Sequence, residues 1–161
     1  MMRIGFGFDT HAFVADKPLV LGGVNIPFEK GLLAHSDGDA VIHAICDAIL
    51  GALALGDIGQ HFPDTRDEHA GKDSRLFLRA VAEMMVKEGY QVNNIDVTII
   101  AEAPKLAVHS DAMRTHLAED LAITVSQINI KATRNEKMGH LGQGEGVAVH
   151  AVALLQMLSI A

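Results

Sequence analysis

A chain of 161 residues is long enough for one domain that buries roughly two thirds of its unfolded surface, and with 49% hydrophobic residues, no Trp and one Tyr its core must be built from Ala, Val, Ile, Leu and Met. The formal charge of -7, from 13 basic and 20 acidic residues, argues against a nucleic-acid partner, which needs clustered Lys and Arg to displace counterions. No stretch approaches the ~18 apolar residues of a membrane span and the N-terminus has no signal-like apolar region, so the sequence reads as soluble and cytoplasmic, with no membrane partner.

Residues 2 to 11 read as a strand, and 18 to 27 as an apolar hairpin turning at Gly22-Gly23. Asp37 or Asp39 can cap a helix whose apolar positions 41, 42, 45, 49, 50 and 53 keep helical spacing until Gly56 stops it. The single Cys46 lies in that apolar run, as a buried reduced thiol would. A Gly-, Asp- and Pro-rich loop covers 56 to 72. Asp73-Ser74 then starts a second helix that runs to Gly89.

A strand over 92 to 103 gives way at Pro104 to a helix of about 107 to 120, followed by a strand at 128 to 132 and a Gly-rich loop from Met138 to Gly146. Periodicity alone leaves 147 to 158 undecided; the hairpin-like loop before it favours a strand. The mixture predicts an α/β (α+β) layered domain, a mixed β-sheet with helices on one face.

Asp9 and His11 are two apart in the first strand, so both side chains point to one face, and His43 sits in the first turns of the first helix. One carboxylate and two imidazoles suit a zinc site with an open fourth position. Taken singly, a histidine near a helix start is more often a cap or a solvated residue than a ligand. Asp47, one helical turn after His43, could accept the imidazole's other N–H or stand free in solvent. His35-Ser36 could place an imidazole and a hydroxyl over a phosphate, and Thr133-Arg134-Asn135-Glu136-Lys137 gathers the polar groups that a diphosphate with Mg²⁺ needs. Ordinary turns use the same residues.

Taken together, Gly7-Phe8-Asp9-Thr10-His11, Leu21-Gly22-Gly23-Val24, His35-Ser36-Asp37-Gly38-Asp39, Ala54-Leu55-Gly56-Asp57-Ile58-Gly59, Phe62-Pro63-Asp64-Thr65, Asp73-Ser74-Arg75, the run from Ile99 to Lys105 and Gly144-Glu145-Gly146 resemble the 2-C-methyl-D-erythritol 2,4-cyclodiphosphate synthases of the non-mevalonate isoprenoid pathway. The likeness runs almost end to end, which implies one synthase domain over 1 to 161. It implies a homotrimer with active sites between subunits, and conversion of 4-diphosphocytidyl-2-C-methyl-D-erythritol 2-phosphate to the cyclic diphosphate with release of CMP. By position, Asp9, His11 and His43 would hold Zn²⁺ and Glu136 a Mg²⁺ or Mn²⁺. His35 would stabilise the transition state beside Ser36, at the methylerythritol phosphate end. Asp57 and Gly59 would meet the ribose, with Ile58, Phe62, Pro63, Asp64, Thr65 and Arg66 also binding substrate.

Ala101, Pro104, Lys105, Leu106 and Ala107, with Ala132 and Thr133, would line a cytidine pocket lent by the adjoining subunit. Arg134, expected to be catalytic, stands where that family commonly has a threonine, with Asn135 beside it. Within the expected site, His140 and Gln143 also depart from the usual residues, an Arg being common at Gln143. Outside it, Phe6 replaces a common polar residue.

Overall fold

A computed structural model describes residues 1–63 and 71–158. In chain order the elements are β1 (Met2–Ala15), β2 (Leu19–Leu21), β3 (Val24–Ile26), β4 (Lys30–Leu32), α1 (Ala40–Leu53), the single-turn α2 (Ile58–His61) and α3 (Ser74–Lys87). There follow β5 (Tyr90–Ile100), α4 (Ser110–Leu121), β6 (Ile128–Thr133), the single-turn α5 (Gly139–Gly142) and β7 (Gly146–Met157). Five strands form one mixed sheet in the order β4-β1-β7-β5-β6, in which only β5 and β6 run parallel; β2 and β3 make the separate hairpin. Within the described residues no helix is long and apolar enough to cross a membrane.

The C-terminal segment is a strand, as the loop before it favours, and it is the central one, paired along its length with β1 and β5. Its residues Val147, Val149, Ala151, Ala153 and Leu155 are all buried on the helical side, where alternating small and branched side chains fit a pleated surface. On β1 the same side carries Gly5 and Gly7. A Cβ at Gly5 would lie 1.8 Å from the Ala48 carbonyl oxygen, and one at Gly7 1.8 Å from that of Ala44. The two glycines let α1 rest directly on the strand, so the helix is buried almost all round: Ile42, Ile45, Ile49 and Leu50 have no exposed surface. Cys46 is buried and free, and burial raises its thiol pKa well above the ordinary value.

Asp39, not Asp37, caps α1. Its carboxylate accepts from Ile42 N at 3.1 Å and also from Gly22 N at 2.8 Å and Gly23 N at 2.7 Å, tying the hairpin turn to the helix start. Full burial, offset by those N–H groups, pushes its pKa up to about 6. The helix ends before Gly56: Ala54 adopts φ 59° and the last carbonyls are closed by Ala54 N to Gly51 O and Leu55 N to Leu50 O, a Schellman closure made without glycine. Asp73 caps α3 as expected. β5 stops at Ile100 rather than 103, ahead of a cis Ala103–Pro104 bond, and the following helix opens with a 3₁₀ turn at Ala107–His109.

Arg75 and Arg79 of α3 both reach the buried Asp120 carboxylate of α4, at 2.6 and 2.7 Å. That pairing fixes where the α3 N-terminus lies.

Candidate active site

Asp9, His11 and His43 offer three ligand atoms that all lie within 4.8 Å of one another. The glycine-mediated contact of β1 with α1 brings them together: Asp9 and His11 continue the strand face that carries Gly5 and Gly7, and His43 stands one turn into the helix. His11 Nε2 is 2.9 Å and His43 Nδ1 3.1 Å from the same Asp9 oxygen.

The other nitrogen of each ring shows which lone pairs face inward. His11 Nδ1 lies 3.0 Å from the Leu33 carbonyl, which can only accept, so Nδ1 carries the proton and Nε2 a lone pair. His43 Nε2 lies 2.9 Å from Ser74 Oγ, whose own proton is committed to Asp37; Nε2 therefore donates and Nδ1 faces Asp9 with a lone pair. Two imidazole lone pairs and a carboxylate meeting at hydrogen-bond distance call for a positive charge between them, a proton or a metal cation. Consistently, the Asp9 hydrogen bond raises the His11 pKa against the opposing effect of burial. Burial opposes ionisation of Asp9, but the bonds and charges of His11 and His43 hold its carboxyl well below the usual range. Two nitrogens and one oxygen with a free fourth direction are a zinc-type donor set rather than the all-oxygen shell that Mg²⁺ prefers.

Asp47 does not serve His43. Its Oδ1 accepts from Ile58 N at 2.7 Å, anchoring the start of α2, because the His43 ring leans toward α3 instead. Ser74, Asp37 and the Leu33 carbonyl take up the outer roles.

His11 and His43 open into a cleft of about 370 Å³ that also holds Ala34, His35, Ser36, Ile58, Gly59, Phe62 and Phe77. A second cleft, of about 570 Å³, is walled by Ala101 to Ala107 together with Ala132, Thr133, Arg134 and Glu136. Among the described residues the two share no lining residue. Asp57, Pro63, Asn135, His140 and Gln143 line neither: the Asp57 carboxylate holds Gln60 through its N and Nε2, and Gln143 Nε2 donates to the Lys137 carbonyl at 3.0 Å. Asp64, Thr65 and Arg66 lie outside the described residues.

Sequence reasoning overlooked Ser74 and Asp37 as supports of His43, and Phe77 as a cleft wall. Ser74 and Asp37 touch across 37 residues, which no local spacing signals, and Phe77 sits at a helical apolar position indistinguishable from core.

The model of the YgbB family matches residues 2–156. The 2-C-methyl-D-erythritol 2,4-cyclodiphosphate synthase of Erwinia tasmaniensis is 58% identical over 154 residues, covering 96% of this chain and 98% of that protein; that of Pasteurella multocida is 57% identical over 155 residues with the same coverage. Among solved structures, the bifunctional IspDF from Campylobacter jejuni superposes with a TM-score of 0.95 at 40% identity, covering 99% of this chain and 43% of its own. The Plasmodium falciparum IspF in complex with CDP gives 0.87 at 35% identity, covering 98% and 97%. With the family model spanning nearly the whole chain and relatives matched end to end, this chain belongs to the YgbB family of 2-C-methyl-D-erythritol 2,4-cyclodiphosphate synthases.

Proposed function

We propose that this protein converts 4-diphosphocytidyl-2-C-methyl-D-erythritol 2-phosphate to 2-C-methyl-D-erythritol 2,4-cyclodiphosphate and CMP, in the cytoplasm. The observation that carries this reading is the convergence of Asp9, His11 and His43 beside the cleft that contains His35 and Ser36. An oxygen of the substrate's own 2-phosphate attacks the β-phosphorus, the bond to the CMP phosphate breaks, and CMP leaves. Because the nucleophile belongs to the substrate, the protein's work is to fold the chain of the substrate and to neutralise phosphate charge.

A zinc ion held by Asp9, His11 and His43, with Mg²⁺ or Mn²⁺ at Glu136, would draw charge from the diphosphate. His35 and Ser36 bind the phosphate end that attacks, and His35 stabilises the transition state by donating a hydrogen bond to the phosphate oxygens. Phe62 and Phe77 wall this end against water. Asp57, Ile58 and Gly59 receive the ribose, Asp57 being held in place through Gln60. The segment from Ala101 to Ala107 and Ala132-Thr133 receive the base, while Arg134 offsets phosphate charge.

The two clefts are the two halves of one site, brought together between copies in a homotrimer. Support for that assembly comes from the sheet face turned away from the helices. It exposes Met2, Ile4, Phe6 and Phe8, from 46% to 71% of their surface, the kind of apolar patch that a second copy covers.

Phosphorus NMR of the purified protein with substrate, Zn²⁺ and Mg²⁺ tests the reading. The expected products are one CMP per cyclic diphosphate, with no oxygen taken from isotope-labelled water. Linear phosphate carrying the label would establish a phosphohydrolase instead.

A further inference from the structure

The loop after β6 is held in an unfavourable shape. Glu136 and Lys137 both have positive φ, 50° and 63°, a region disfavoured for any residue with a Cβ. Two successive residues there need an external restraint. Glu102, on the facing edge of the same cleft, supplies it: its Oε1 accepts from Asn135 N at 2.9 Å and from Lys137 N at 3.2 Å. The N–H groups on either side of Glu136 thus converge on one carboxylate oxygen, as they would on a bound anion. The far side of the loop is fixed as well. Asn135 Nδ2 donates to Met138 O at 2.7 Å and Gln143 Nε2 to Lys137 O. Gly142 packs so closely that a Cβ would lie 2.2 Å from the Lys137 carbonyl carbon.

We propose that Glu102 is a positioning residue for the reaction: it holds the 134–138 loop in the form that presents Glu136 to the cleft, where Glu136 ligates the divalent cation on the diphosphate. The inference rests on the assignment of Glu136 under the proposed function. Glu102 acts through the loop, since its Oε1 is taken by two backbone donors. Removing it frees the loop to relax to ordinary φ values, and the Glu136 carboxylate then has to be reordered whenever the cation binds.

The test measures Mn²⁺ binding by electron paramagnetic resonance in the presence of CDP, and cytidine binding by calorimetry, on the full-length protein and its Glu102→Gln, Glu102→Ala and Glu136→Ala variants. Glu102→Ala should weaken Mn²⁺ by about tenfold, as expected for a lost hydrogen bond to a charged group. Glu102→Gln, which keeps an acceptor oxygen, should recover most of that loss, and cytidine affinity should stay within about twofold in both. Unchanged Mn²⁺ affinity in Glu102→Ala while Glu136→Ala loses it would overturn the positioning role and leave the Glu136 assignment standing. Parallel loss of cytidine and Mn²⁺ in both Glu102 variants would overturn it too, by making Glu102 a wall of the cleft. Undiminished Mn²⁺ binding by Glu136→Ala would remove the assignment and the inference with it.

Discussion

The two clefts are built in opposite ways. Around Asp9, His11 and His43 every outer partner is already in place: a backbone carbonyl for one ring, a serine bound to a carboxylate for the other, and a helix seated on glycines beneath them. At the second cleft Arg134 and Glu136 are exposed on a loop of left-handed residues, tethered by a few hydrogen bonds. The first holds its ligand groups on packed elements, and the second presents exposed side chains from a loop held in shape by hydrogen bonds. Such a division suits a reaction in which one metal site must be rigid while a flexible nucleotide is gathered toward it.

The contrast can be broken most severely at Gly7. A Cβ there meets the Ala44 carbonyl, so Gly7→Ala should cost about 3 kcal/mol or more in denaturant titration and deplete bound zinc in the fraction that still folds. Asp39→Ala removes the acceptor for three backbone N–H groups, the α1 cap among them; a loss of about 2 to 3 kcal/mol is expected.

Ser74→Ala touches only one cleft, through His43. Chelator competition should show zinc bound about tenfold more weakly, with cytidine affinity at the other cleft unchanged; equal loss at both would erase the distinction. Protons compete for the same lone pairs. Because the Asp9 bond raises the His11 pKa from its ordinary 6.5, zinc affinity should keep rising with pH beyond that value and level off once His11 has lost its proton. Stability without metal runs the opposite way: the protonated His11 contact stabilises below the ordinary value and fades as pH rises through the raised one. At the small end, Lys131→Ala, which breaks a half-exposed pair with Asp96, should change stability by no more than about 0.5 kcal/mol.

Most strands and helices were legible in the sequence because each is specified by its neighbours: the alternation in residues 2 to 11, the 3.6-residue period after Asp39, the capping Asp73. The Asp9, His11 and His43 triad was legible for the same reason, as a strand pair and a helix start with the right donors. Local pattern failed where contacts link distant segments. Asp47 has the spacing to serve His43, yet it anchors α2, while Ser74, 31 residues away from His43, takes that place. For the C-terminal segment the Gly-rich loop before it rightly favours a strand where periodicity is silent, and pairing with β1 and β5 makes that strand the central one. The sequence by itself determined which chemical groups are present and on which elements they ride. Only the tertiary structure decided which lone pairs face inward, which hydroxyl supports which ring, and that the metal triad and the Glu136 loop lie in separate clefts. Those properties depend on long-range packing, such as two glycines that let one helix touch one strand.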